Sequence, residues 1–251
     1  MKRLITAFMV IVITLLCGCD TAYIQSSEVT QNSELCDTRD SRVDFACYPK
    51  NCSYGVVDKF DRPQFCNLTD IQKSLYIIMD NAVFEMQTGY VDLGVCSYRD
   101  LELAYFAVRR DRPEYFWLSN EYSLKQSGDR RMIRFAETDK DWLFSAVERA
   151  DTEALIRDSI VELYAAIGEG KSEYERELAV HDAVCEMTEY DQAAAGDPSL
   201  SKSAWNVAGV FDDGSAVCEG YAKAMQLLCF SVGINCGLIT GNAESPHMWN
   251  Y

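Results

Sequence analysis

An α+β fold is predicted for this chain. Three features carry the prediction: capped amphipathic stretches of helical period, short runs of strand character between them, and a helix opened by Cys218 that is followed by an aromatic, strand-like run carrying His247. At 251 residues, with 48% hydrophobic and 25% charged residues, the composition is that of one or two packed cores and not of a disordered polymer.

The first element is a targeting segment. Lys2 and Arg3 precede an apolar run from Leu4 to Leu16 that is too short to span a bilayer comfortably, and Leu16-Cys17-Gly18-Cys19 is a small-residue cleavage zone. The zone resembles a bacterial lipobox, with Cys17 in place of the more usual small aliphatic or hydroxyl residue. The resemblance implies removal of residues 1–18 as a lipoprotein signal peptide and lipid attachment at Cys19; an ordinary secretory signal is the alternative. Either way the mature protein is expected outside the cytoplasm. Loss of Lys2 and Arg3 takes the net charge from −16 to −18. Such a surface repels phosphate backbones and anionic lipid head groups, so nucleic acid is not expected as a partner and the acyl anchor is the expected membrane contact.

Residues 19–66 form a tether and a cysteine-rich segment. The chain holds eleven cysteines, and four of them, Cys36, Cys47, Cys52 and Cys66, crowd into a polar stretch with little apolar periodicity. In an oxidising compartment this spacing implies two disulfides of open connectivity. A zinc site is the alternative, but the stretch lacks Cys-x2-Cys pairs and a nearby histidine.

Residues 67–168 are expected to form an accessory α/β domain. Thr69 with Gln72 makes a capping box for a helix whose stripe is Ile71, Leu75, Ile78, Met79, Ala82 and Met86, ending at Gly89. Tyr90 to Leu93 is a short strand, and Ser97 with Asp100 opens a second helix that Arg112-Pro113-Glu114 breaks. Tyr115 to Phe135 follows as a hairpin with its turn around Gly128. Thr138 with Asp141 then caps a long helix through Trp142, Ile156 and Leu163 to Gly168, connecting two lobes.

Residues 169–251 carry the chemistry. Ser172 with Glu175 opens a helix that ends near Glu189, and residues 191–203 are expected as a surface loop. Asp212 to Ser215 is a turn leading into a buried helix from Ala216 to Val232, ended by Gly233; Ile234 to Thr240 and His247 to Tyr251 are strand-like. A thiol attacks as thiolate, and a helix N-terminus with a nearby imidazole lowers its pKa from about 8.5. Cys218 meets the first condition, and its backbone N–H is one of the unpaired donors that hold an oxyanion. His247, 29 residues on, is the candidate base, with Trp249 and Tyr251 on its face of the strand to keep water away. His181, the other histidine, lies within a helix and is expected to be structural. Glu219 is expected to order its neighbours, and Gly220 to let the turn pack closely.

These residues resemble the bacterial transglutaminase-like superfamily. Val217-Cys218-Glu219-Gly220-Tyr221-Ala222 matches its nucleophile helix and His247-Met248-Trp249-Asn250 its base strand, with Met248 where alanine is common. The resemblance covers residues 172–251 well, and residues 68–137 less specifically resemble an accessory region of secreted members. It implies a papain-like core in which a nucleophile helix packs on an antiparallel sheet. It also implies that Cys218 forms a thioester with a peptide or carboxamide substrate and that His247 shuttles the proton. Family triads add an acid on the strand after the histidine strand. No residue upstream is expected in that role, and Asp212 and Asp213 fit a turn, so this chain is expected to be a truncated, inactive core.

No cofactor or metal is expected. Hydrolysis is favoured over amine crosslinking because no calcium-type acidic motif is present. The expected partner is a protein or peptide substrate, cell-wall associated in one version. A catalytically silent binding module on the same fold, and a plain buried thiol at position 218, are the alternatives.

Overall fold

The computed structural model describes residues 10–13, 62–168, 170–243 and 245–251. Cys19, Cys36, Cys47 and Cys52 lie outside the described residues. Mixed helix and strand is the architecture throughout. Helix α1 (Pro63–Cys66) leads into α2 (Asp70–Phe84), opened by Thr69, whose hydroxyl accepts from Gln72 N while Gln72 returns the bond to Thr69 N. Strand β2 (Val91–Val95) and α3 (Tyr98–Asp111, capped by Ser97) follow. Then come β3 (Tyr122–Ser127) and β4 (Arg130–Arg134), turned at Gly128 with φ +61°. With β1 (Val10–Ile13) they make an antiparallel sheet of order β1-β3-β4-β2. Strand β1 lies inside the expected targeting segment and runs beside β3, Val10 opposite Lys125, so cleavage before Cys19 would leave β3 at the sheet edge.

Several boundaries differ from expectation for local reasons. Tyr115 to Leu118 are not strand but a buried turn, because Tyr115, Phe116 and Trp117 fill the core and Trp117 Nε1 donates to Val83 O. The Thr138–Asp141 box caps only a 3₁₀ turn. A second box, Ser145 with Glu148, opens the long helix α4 (Ala146–Ile167), which leaves Trp142 extended and buried before it. Ile71 is exposed on α2 while Tyr76 and Val83 take buried places.

In the second half, α5 (Glu173–Met187) opens at the Ser172–Glu175 box. Two-residue strand β5 (Glu189–Tyr190) runs parallel to β6 (Ser215–Ala216). Between them the expected surface loop, residues 191–203, contains α6 (Gln192–Gly196), capped by Asp191, and α7 (Val207–Phe211), capped by Asn206, follows that loop. Helix α8 (Cys218–Ser231) and the hairpin β7 (Leu238–Ala243) and β8 (Ser245–Asn250) complete it. One apolar cluster runs from Phe65 through Ile156, Val184 and Leu227 to Cys236, so both halves share a core. Among the described residues no helix is long and apolar enough to cross a membrane.

The accessory half is held by a buried polar hub at the helix breaker. Arg112 makes a two-pronged ion pair with Asp80 (Nε to Oδ1 2.8 Å, Nη2 to Oδ2 2.7 Å), and Tyr115 Oη donates to the same carboxylate at 2.8 Å. Asp111 accepts from Gln64 N and Phe65 N at 3.0 and 2.8 Å, fixing α1 on α3.

Candidate active site

Cys218 is the first residue of α8, and three close contacts place it there. The β5–β6 ladder delivers the chain, Val217 N donates to Ala204 O at 3.0 Å, and Tyr221 Oη donates to Thr188 O at 2.6 Å. Gly220 is where the segment 204–206 meets the helix: a Cβ there would stand 2.5 Å from Ala204 O and 2.8 Å from Ala216 Cβ. Only glycine permits that approach. No side chain caps α8, and among the described residues the N–H groups of Cys218, Glu219 and Gly220 have no hydrogen-bond acceptor. They point their partial positive charge past the thiol, which is 9% exposed.

Glu219 is fully sequestered and ionised. Its Oε1 accepts from Lys223 Nζ at 2.6 Å and from Arg109 Nη2 at 3.1 Å. Burial raises its pKa, but Lys223 and Arg109 outweigh burial and hold the carboxyl below its usual range. Arg109 comes from α3, so the accessory half grips the residue next to the nucleophile. Its neighbour Arg110 donates to Thr240 Oγ1 at 3.3 Å and takes Gln226 Nε2 on its carbonyl at 3.0 Å, tying α3 to β7 and α8 as well. Sequence reasoning missed Arg109 and Lys223. The Glu219 and Lys223 spacing of i, i+4 signals the second; nothing in the sequence signals a partner 110 residues away.

His247 lies on β8, opposite Gly241, with its ring 5.9 Å from that of Trp249. The hairpin does pack on α8. Met248 clusters with Ala222 and Leu238, and Asn250 Nδ2 donates to Ala222 O at 2.8 Å. Because strand side chains alternate, Met248 and Asn250 take the helix side and His247 and Trp249 the other. Among the described residues no hydrogen bond joins Cys218 to His247, and no carboxylate bonds His247. Trp249 covers Gly241 and is 40% exposed, so it does not shield the thiol. Asp212 accepts from Thr152 and Asp213 from Ser203, which ties both to the turn before β6.

His181 differs from expectation. It is exposed on α5, with Nδ1 3.0 Å from Asp182 Oδ1 and Nε2 3.8 Å from Cys185 Sγ. A cleft of about 490 Å³ opens between the 112–121 connection and the 197–206 segment, lined by Arg109, Leu118, Lys202, Trp205 and Lys223 among others. Among the described residues no group of three or more His, Cys, Asp or Glu side chains is arranged to hold a metal ion.

A helix that starts on a thiol, a glycine forced by close packing beside it and a following antiparallel hairpin with a histidine are the layout seen here. Residues 162–251 match the transglutaminase-like superfamily. The transglutaminase-like domain therefore begins in the last turns of α4 and includes α8 and the hairpin. The superfamily includes cysteine peptidases and acyltransferases. No curated protein matches the chain.

Proposed function

We propose that the protein is a cysteine-dependent acyl-transfer enzyme that hydrolyses a peptide or carboxamide bond, with Cys218 as nucleophile and His247 as base. The single observation behind this is Cys218 at the uncapped start of α8, beside three N–H groups without acceptors. In the reaction Cys218 Sγ, its proton passed to His247, attacks the carbonyl carbon. The oxyanion so formed is held by the free N–H groups, and the amine leaves with the proton. Water then attacks the thioester with His247 as base, releasing the acid and restoring the thiol. The step needs His247 on the helix side of β8, where Met248 now packs against Ala222. The hairpin must therefore turn or shift register in the reacting state; a one-residue shift exchanges the two faces. The cleft one turn along α8 offers the substrate chain a place beside Arg109 and Lys223.

The proposed setting is extracytoplasmic, with residues 1–18 cleaved, Cys19 lipidated, and a protein or peptide substrate. Iodoacetamide at neutral pH tests the nucleophile. Cys218 should alkylate faster than buried Cys229 and Cys236, and His247→Ala should slow Cys218 alone. Equal rates for the three thiols would overturn the assignment.

A second reading, a catalytically silent binding module, is favoured by one observation: His247 bonds neither Cys218 nor a carboxylate. Cys218→Ser separates the two, since a binding role survives that change and an acyl-transfer role does not.

A further inference from the structure

Helix α8 ends in a motif that turns the chain back on itself. Gly233, at φ +80°, donates to Phe230 O at 3.2 Å, and Ile234 N reaches Cys229 O at 2.9 Å, the two bonds of a Schellman cap. The reversal lays Cys236 beside Cys229. Both are buried, at 7% and 1% exposure, in the main apolar cluster, and their thiols hydrogen-bond each other. Cys236 is further pinned: Asn250 Nδ2 donates to its Sγ at 3.2 Å and Gln226 Nε2 to its carbonyl at 3.1 Å. Neither thiol takes part in the proposed reaction.

We propose that Cys229 and Cys236 form a redox pair that closes into a disulfide, fastening the C-terminal turn of the nucleophile helix to the segment entering the His247 hairpin. Chemically, the Cys236 thiolate attacks one sulfur of a small disulfide oxidant such as oxidised glutathione. One Cys236–glutathione bond forms and one glutathione thiolate leaves with the electron pair. Cys229, giving up its proton, then attacks Cys236 Sγ and expels the second thiolate. Two protein thiols are oxidised and one disulfide is reduced to two thiols. The order of attack follows from the pair itself. The hydrogen bond to Cys236 and burial push the Cys229 thiol up, whereas the bond from Cys229 holds Cys236 down. Both sulfurs are shielded once packing is complete, so exchange takes place late in folding, when the two thiols already face each other and before they are closed off.

The consequence concerns the site. The ring closed by Cys229 and Cys236 takes in the last turn of α8 and all but one residue of the link to β7, so it limits how far β7 and β8 can slide along the helix. Asn250, which bonds both Cys236 Sγ and Ala222 O, carries the constraint onto β8.

The test is refolding of the full chain, reduced and denatured, in buffers of graded reduced and oxidised glutathione, followed by acid quench, alkylation under denaturing conditions and mass spectrometry. No Lys or Arg follows Lys223, so both cysteines fall on the one tryptic peptide 224–251. The expected result is that peptide about two mass units light and unalkylated, at ratios where exposed Cys185 is still a thiol. Amides across the cap should then exchange at least about tenfold more slowly than in the reduced chain. Recovery of both cysteines alkylated from folded protein at every ratio would overturn the proposal, and so would either of them joined to a third cysteine of the chain. The peptide readout needs no variant, and Cys229→Ser with Cys236→Ser serves as a control that must show no mass change under oxidation.

Discussion

Gly220→Ala is the sharpest perturbation of the way Cys218 is placed. The added methyl would stand 2.5 Å from Ala204 O, 3.1 Å from Asn206 O and 2.8 Å from Ala216 Cβ. A relaxed carbon–oxygen contact is about 3.3 Å or more, so α8 or the 204–206 segment must move by roughly 0.8 Å. Two of the three obstacles are backbone oxygens, which cannot rotate away. One of them, Ala204 O, is the acceptor of the Val217 N–H, so the movement strains the bond that sets the start of the helix. Overpacking of this kind costs about 1–3 kcal/mol, and the better helix propensity of alanine returns at most about 1. We expect a net loss of about 2 kcal/mol, seen as a fall in Tm of about 4–8 °C by circular dichroism. Gly196→Ala, whose methyl meets nothing within 4 Å, is the matched control and should change little. Cys218 alkylation should also change in Gly220→Ala and not in Gly196→Ala. A Gly220→Ala protein with unchanged Tm and unchanged Cys218 reactivity would refute the close-packing account.

Three further outcomes follow. Glu219→Gln leaves Arg109 and Lys223 buried without their carboxylate, and should cost about 3 kcal/mol or more in urea denaturation; a loss below about 1 would mean the triad is solvated. Burial pushes the Glu114 and Asp111 carboxyls up to about 7, over the opposing effects of Arg112 on the first and of the Phe65 and Gln64 N–H groups on the second. A raised folded pKa means the native state binds the extra proton. Their contribution is thus complete below the ordinary carboxylate range and is lost as pH rises toward 7, on the order of 4 kcal/mol each. Tm should be higher at pH 5 than at pH 8, with a smaller difference in Glu114→Gln; the opposite slope would sink this reading. Met248→Ala should cost about 2 kcal/mol by emptying the contact with Ala222 and Leu238, and should raise His247-dependent alkylation of Cys218 by freeing the helix side of β8. Unchanged alkylation would argue against a turned hairpin.

What was legible in the sequence was local. Thr69 with Gln72, Ser172 with Glu175 and Ser97 before Asp100 mark helix starts because each cap is satisfied within three residues, and the structure holds each of those bonds. Gly233 and Gly128 mark chain reversals through backbone angles that other residues rarely adopt. Where two capping signals compete, as at Thr138 and Ser145, pattern alone does not rank them; the burial of Trp142 and Phe144 between the two decides where the long helix begins. The aromatic run at residues 115–118 has strand composition, yet it serves as core filling because Trp117 must reach Val83 O. At the site, the helix start on Cys218 and the closeness at Gly220 were readable. The Arg109 contact and the facing of His247 were not, since the first joins residues far apart in sequence. The second depends on which of two alternating sets, His247 with Trp249 or Met248 with Asn250, packs on α8. Both sets carry apolar surface, so periodicity does not choose between them.

Formation of an acyl-enzyme on Cys218 is the step on which the proposed reaction rests. Incubating the full chain with an activated carboxylic ester, quenching in acid and mapping the adduct by mass spectrometry measures this directly. A single acyl group is expected on the peptide carrying Cys218, released by hydroxylamine and absent from Cys218→Ser. Acylation spread evenly over Cys185 and the other thiols, or no adduct on Cys218 at all, would contradict it.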